Sequence, residues 1–293
     1  MRIFLLILVM VSTSQVQAER IIHKEKSLYR NIVVRESSNR RCLVFAVKRG
    51  DRNQTCISLN DPDRVVFPYA RMTFSGLLLQ PKPDSILVIG LGGGTMPTVL
   101  SRLYPKATIH VAEIDEAVVR VATKYFNFSE SENVRVFVQD ARVYIKRAGL
   151  KKITYDLIIL DAFTGDYIPE HLMTVEFLQE TKAIMSDQGV LVANTFSTSR
   201  LYDHESVTYE SAFGTFFNFK MPVTGNRVII TNGGQLPETK LMQDRANKLA
   251  GKLRKYAIKI DNFPRHMKRT KDWNKKARPL TDQFSPANLL RDD

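Results

Sequence analysis

The chain is poor in the residues that build covalent and metal frameworks. It has two cysteines, Cys42 and Cys56, and one tryptophan in 293 residues. That excludes a miniature fold held by several disulfides and a zinc module built on cysteine pairs. Its five histidines, His23, His110, His171, His204 and His266, are scattered. No Cys/His spacing of the zinc kind exists, so no metal is expected. No apolar run approaches the roughly 20 residues needed to cross a bilayer. A serine-hydrolase elbow and a phosphate-binding P-loop are also missing, as are internal repeats and low-complexity segments.

Acid is scarce relative to base. Lys and Arg total 43 against 30 Asp and Glu, a net charge of +13. Such a balance suits nucleic acid, anionic lipid or acidic ligands. No aromatic platform interleaves with the basic residues, so a solvated basic surface is the plainer reading and no nucleic-acid partner is expected. Apolar residues make up 44% of the chain, ample for a core. At the N-terminus, Arg2 precedes an apolar run from Ile3 to Val11, a polar stretch from Ser12 to Gln17, and Ala18 with Val16 two residues before it. This is the pattern of an export signal. Cleavage is expected after Ala18, giving a periplasmic or secreted chain that begins at Glu19 and has no membrane span.

Residues 19–80 read as a small antiparallel β cap. Ile32 to Arg35, Cys42 to Val47 and Thr55 to Leu59 have strand composition, with turn chemistry at Arg49-Gly50-Asp51. Both cysteines lie in that hairpin, and pairing and two separate buried thiols are both open. Pro81-Lys82-Pro83-Asp84 marks a boundary.

The rhythm then changes. Apolar strands at Ser85–Ile89, Thr108–Ile114, Val134–Gln139, Asp156–Leu160 and Val190–Asn194 alternate with helices at Met96–Leu103, Glu116–Tyr125, Ala141–Ala148 and Thr174–Met185. Alternation of this kind implies a mostly parallel sheet covered by helices on both faces. Two further strands, Phe217–Val223 and Arg227–Thr231, read as a closing antiparallel hairpin through Thr224-Gly225-Asn226. A helix from Leu241 to Tyr256 is expected to dock through Leu241, Leu249, Leu253 and Tyr256. Residues 81–293 thus read as one α/β unit of the methyltransferase-like, Rossmann-type class.

The strongest local signal is Ile89-Gly90-Leu91-Gly92-Gly93-Gly94-Thr95, between a strand and a helix. Glycines there let a ligand approach the backbone, with Gly90, Gly92 and Gly93 as the cradle. The next strand ends in Glu113-Ile114-Asp115, where a carboxylate can accept both hydroxyls of a ribose. Asp140-Ala141 follows the third strand, offering an acid and a backbone N–H to an adenine edge. Asp161 follows the fourth. The blander alternative is that Asp115, Asp140 and Asp161 only cap the helices that follow them.

These segments resemble the spermidine synthases, or polyamine aminopropyltransferases. The likeness runs from about Glu25 to Leu290. It rests on Val88 to Gly94, Ala112 to Asp115, Val138 to Ala141, Tyr155 to Asp161, Leu172 to Phe177 and Arg278 to Pro286. The resemblance implies that Glu113 holds the ribose, Asp140 the adenine, and Asp161 the proton of an attacking amine. It implies decarboxylated S-adenosylmethionine or S-adenosylmethionine as donor, an unidentified amine or other acceptor, a pocket tyrosine at Tyr69, and a homodimer formed through the cap. The chain departs from the family on the amine side. Gly93 stands where the family's loop has an aspartate, Thr164 where a second acid follows the first, Arg71 where the cap has a glutamate, and Arg30 where a glutamine is expected. Asp166 and Glu170 are candidates to compensate.

Three functions follow. The first is a spermidine synthase-like transferase with Asp161 as base. The second is an S-adenosylmethionine-dependent methyltransferase on the same sheet. The third is a non-catalytic exported binding protein. A nicotinamide dehydrogenase fits less well, because Thr95 replaces the third glycine of that fingerprint.

Overall fold

The computed structural model describes residues 19–47, 50–163 and 167–284. The expected export signal, Thr164, Asp166 and the end of the Arg278–Pro286 segment lie outside them.

The N-terminal sheet is a four-stranded antiparallel meander in the order β1 (Arg20–Lys26), β2 (Asn31–Glu36), β3 (Arg40–Val47), β4 (Gly50–Ser58). The sequence reading missed β1, whose Arg-Ile-Ile-His-Lys-Glu-Lys run is largely exposed and charged. It also began β4 too late. Its first residues have the composition of a turn, yet β4 is an outer strand, where polar residues are tolerated and protect the edge. Cys42 and Cys56 face each other in register across β3 and β4 and form a disulfide, which resolves the open alternative.

After β4, a short helix α1 (Pro68–Met72) leads into a 3-10 segment, Thr73–Leu78, that packs against the large sheet. A Cβ on Gly76 would lie 2.5 Å from Val192 Cγ2, so this contact requires glycine.

The large sheet is built from β5 (Ser85–Ile89), α2 (Thr95–Leu103), β6 (Thr108–Glu113), α3 (Glu116–Tyr125), β7 (Val134–Val138), α4 (Ala141–Leu150), β8 (Tyr155–Leu160), α5 (Val175–Ala183), β9 (Met185–Phe196), α6 (Tyr202–Phe213), β10 (Phe217–Lys220), β11 (Asn226–Thr231), α7 (Thr239–Leu253) and the two-residue β12 (Met267–Lys268). Its strand order is β12-β10-β11-β9-β8-β5-β6-β7. Strands β9, β8, β5, β6 and β7 are parallel; β11 runs against them, and β10, antiparallel to β11, shares their direction. The closing antiparallel hairpin on a parallel sheet is the methyltransferase-like arrangement.

Strand periodicity explains how the sheet is buried on both sides. Ile86 and Val88, Ile109 and Val111, and Leu157 and Ile159 enter the core on one face. Their neighbours Leu87 and Ile89, Ala112, and Ile158 and Leu160 enter the core on the other. These strands therefore read as continuous apolar runs.

Two helical expectations are corrected. Helix α6 was not anticipated, because polar residues share its buried face with Tyr209, Ala212 and Phe213. Glu205, Ser206 and Thr208 are buried there, and Arg227 donates to Glu205 and Ser206. Helix α7 docks through Met242, Ala246 and Leu253, whereas Leu241 is exposed. Leu241 lies one position off the stripe, and small Ala246 contributes little to an apolar pattern in the sequence.

Candidate functional site

The chain passes from β5 to β6 and β7 on one side, then returns to β8 and β9 on the other. The crevice lies at this switch point, outside the carboxyl ends of β5 and its neighbours, where open α/β sheets bind ligands. The β5–α2 loop forms its floor. Gly90, Gly92 and Gly94 all have positive φ, at 93°, 55° and 74°. At Gly90 the tight approach is to β8: a Cβ would lie 2.4 Å from the carbonyl oxygen of Asp161. Above Gly92 the nearest atom to a would-be Cβ is Thr55 Cβ at 3.8 Å, which leaves its backbone approachable. Gly93 is roofed more closely, with Thr55 Cγ2 only 2.6 Å from the position of a Cβ.

Glu113 ends β6 and is buried. Its Oε2 accepts from Leu91 N–H at 2.9 Å and its Oε1 from Asp115 N–H at 3.0 Å. Burial raises its pKa despite these bonds. Each oxygen retains lone-pair capacity, so a pinned carboxylate can still accept from a vicinal diol. Ile114 beside it is partly buried. Asp115 caps α3 through Ala117 N–H and also accepts from Ser27 Oγ at 2.6 Å. Asp140 caps α4 through Val143 N–H, with Ala141 buried as the first helical residue. The other oxygen of Asp140 lies 2.8 Å from His171 Nε2. Burial alone would raise its pKa, but the Val143 N–H and His171 outweigh burial and hold the carboxyl low. Capping therefore describes Asp115 and Asp140 correctly, and both still face the loops that edge the crevice.

Asp161 differs from them. It precedes no helix, and its N–H donates to Ile89 O at 2.9 Å. Its Oδ1 accepts from Asn194 Nδ2 at 2.7 Å. Asn194 in turn accepts from Asn226 Nδ2 at 3.0 Å, and Asn226 accepts from Thr224 Oγ1 at 2.7 Å. The chain of donors fixes which way each amide points. Burial pushes the Asp161 carboxyl up to about 7, against the lowering effect of Asn194. Tyr69 on α1 donates to Gln54 O at 3.0 Å. Burial and the nearby Asp161 charge raise its phenol well above the ordinary value. Beyond Asp161 the wall is apolar: Phe163 and Phe196 meet edge to face at 5.1 Å.

The remaining expectations fare unevenly. Glu170 opens a 3-10 turn, Glu170–Leu172, and Asp166 lies outside the described residues. Arg71 is turned to its own chain, where it donates to the carbonyls of Val65 and Val66. Asn194, Asn226, Ser27 and Thr55 were missed. The single sequence signal for Asn194 is a polar residue breaking the apolar run of β9.

A glycine-rich loop and acids at successive strand ends, on a sheet closed by an antiparallel hairpin, define a protein of the methyltransferase-like class. The spermine/spermidine synthase domain matches residues 67–226. A polyamine aminopropyltransferase of Vibrio vulnificus is 54% identical over 292 residues, covering 99% of this chain and 97% of that protein. The chain thus belongs to the spermine/spermidine synthase family. Among solved structures, a probable spermidine synthase from Corynebacterium glutamicum superposes with a TM-score of 0.65 at 21% identity, covering 79% of this chain and 88% of that one. Human methyltransferase-like protein 13 in complex with SAH gives 0.57 at 21% identity, covering 77% of this chain and all of that one.

Proposed function

We propose that this chain is a sulfonium-dependent alkyltransferase. It binds an adenosyl-sulfonium donor across the glycine loop, with Glu113 on the ribose and Asp140 and Ala141 on the adenine. The alkyl group passes to an amine. The amine nitrogen attacks a carbon of the sulfonium, the carbon–sulfur bond breaks, and the nitrogen's proton goes to Asp161.

The observation that carries this reading is Asp161 itself: a partly buried carboxylate at the switch point, aimed by an amide and with its pKa raised to about 7. A base poised near neutrality can hold an amine's proton and release it again, and such a group contributes roughly 10²–10⁴ in rate. Aminopropyl transfer is the form of this chemistry that the name of the Vibrio relative supports. Methyl transfer from S-adenosylmethionine is the second reading, favoured by the likeness to a methyltransferase bound to SAH. In both, the nucleoside half of the crevice does the same work.

The test is calorimetric titration of the chain from Glu19 onward with methylthioadenosine, beside a Glu113→Ala, Asp140→Ala double variant. Binding by the first and not by the second is expected. If methylthioadenosine fails to bind the native chain, the proposal falls, and what remains is a protein that has kept the scaffold without the ligand.

A further inference from the structure

We infer that the outer flank of α7, with the segment that follows it to β12, is a docking surface for anionic lipid headgroups, which seats the protein on a negatively charged bilayer without crossing it.

The charge of the chain is unevenly placed. Between Lys240 and Arg278 stand fourteen lysines and arginines and three acids, Asp244, Asp261 and Asp272, whereas the rest of the chain carries 29 against 27. An asymmetry of this size points to a polyanionic partner. Pairing differs in the same way. Elsewhere exposed arginines meet acids, as Arg20 meets Glu36, Arg102 meets Asp63, and Arg120 meets both Glu25 and Glu116. In the C-terminal segment Lys240, Lys248, Lys252, Arg254, Lys259 and Lys268 are exposed. Among the described residues no hydrogen bond or ion pair engages their side chains. Asp272, one of the three acids, is taken by Lys220. Burial and the charges of Arg265 and Lys268 hold the His266 imidazole below its ordinary value, so a base within the segment senses the uncompensated charge.

Helix α7 buries Met242, Ala246 and Leu253, and Ile260, Phe263 and Met267 continue the same core. The cations therefore line the outside of one continuous unit at the β12 edge of the sheet. Strands β10, β11, β9 and β8 separate that edge from β5 and its glycine loop. Leu241, Lys248 and Lys252 fall on one flank of α7, at i, i+7 and i+11. Lys255 follows, with its amine 4.7 Å over the ring of Tyr256. Leu241 is 45% exposed. A leucine in line with lysines suits a membrane surface, where the aliphatic group enters the headgroup boundary and the amines meet phosphates. Nucleic acid suits this flank less well. Tyr256, Phe263 and Trp273 are buried, so no ring of the segment is offered to a base.

The test is cosedimentation of the chain from Glu19 onward with vesicles of phosphatidylcholine, alone or mixed two to one with phosphatidylglycerol. Binding to the anionic vesicles only is expected, weakening steeply with added salt. The triple variant Lys248→Gln, Lys252→Gln, Lys255→Gln should lower the partition coefficient about a hundredfold, roughly fivefold for each lysine at the surface. Lys24→Gln, Lys26→Gln, Lys106→Gln removes the same charge from the cap and the α2–β6 turn, and should stay within about threefold of the native chain. All six side chains are exposed, so methylthioadenosine binding should be unchanged in both variants, and the inference is judged apart from the nucleoside reading. Failure of the native chain to bind anionic vesicles overturns the inference. Equal losses in the two variants overturn it as well, by assigning the binding to net charge. So does retention of duplex DNA in place of vesicles, which would make the partner a nucleic acid.

Discussion

The two halves of the crevice hold their acids in different ways. On the nucleoside half, Glu113, Asp115 and Asp140 accept backbone N–H groups from a loop or a helix start. Backbone donors cannot rotate away, so these carboxylates are fixed and suited to reading hydroxyls and base edges. On the transfer half, Asp161 takes its side-chain bond from one amide, itself aligned by Asn226 and Thr224. A single side-chain donor compensates burial only in part, and the carboxyl is pushed up to about 7.

The sharpest way to break this contrast is Asp161→Asn. It removes the proton acceptor but keeps the shape, so transfer should fall by roughly 10²–10⁴. Methylthioadenosine affinity should stay within about threefold, since the other half is untouched. Product release measured alongside calorimetry checks both, and a parallel loss of affinity would show that the halves are not separable.

Asp161→Asn should also separate the halves in stability. The folded pKa of Asp161 lies above its unfolded value, so folding carries a charge-burial penalty. That penalty is absent below the unfolded pKa, grows as pH rises, and is complete above about 7. The variant should therefore gain up to about 4 kcal/mol over the native chain at pH 8 and little at pH 4. Chemical denaturation at both values reads the difference. A gain equal at the two would mean that the carboxylate carries no such penalty.

A smaller effect sharpens the comparison. Asn194→Ala deletes the bond that lowers the Asp161 pKa, so the midpoint of the pH–rate profile should move upward, by about one unit for a bond to a charged group. The rising limb at lower pH belongs to the base, and an unmoved limb would assign that titration to another group.

The central parallel strands β5 and β8 were legible in the sequence because burial on both faces makes them apolar runs, and four of the five parallel strands end at or lead into glycine or acid. Glu113, Asp140 and Asp161 stood out for that reason. Other features were hidden by the partner that justifies them. The apolar period of helix α6 is interrupted where Glu205 and Ser206 meet Arg227, which sits on a later strand. Asn194 and Asn226 are 32 residues apart, and only the antiparallel pairing of β9 with β11 brings their amides together. Arg30 could be noticed as a departure from the family pattern, but not that it reaches both Asp115 and Phe163, since that requires the cap to be seated on the sheet. The polar start of β4 was misread because outer strands and turns share their composition.

The contact at Gly90 has a mechanical consequence. With the Asp161 carbonyl pressed against the place where a side chain would begin, and Asp161 N–H bonded to Ile89, the cradle and the base share one piece of backbone. The spacing between the glycine loop and the Asp161 carboxylate is then set by peptide geometry, much as the jaws of a fixed wrench keep their gauge. Arg30 is fastened to that piece from outside, by a salt bridge, one hydrogen bond and a ring face.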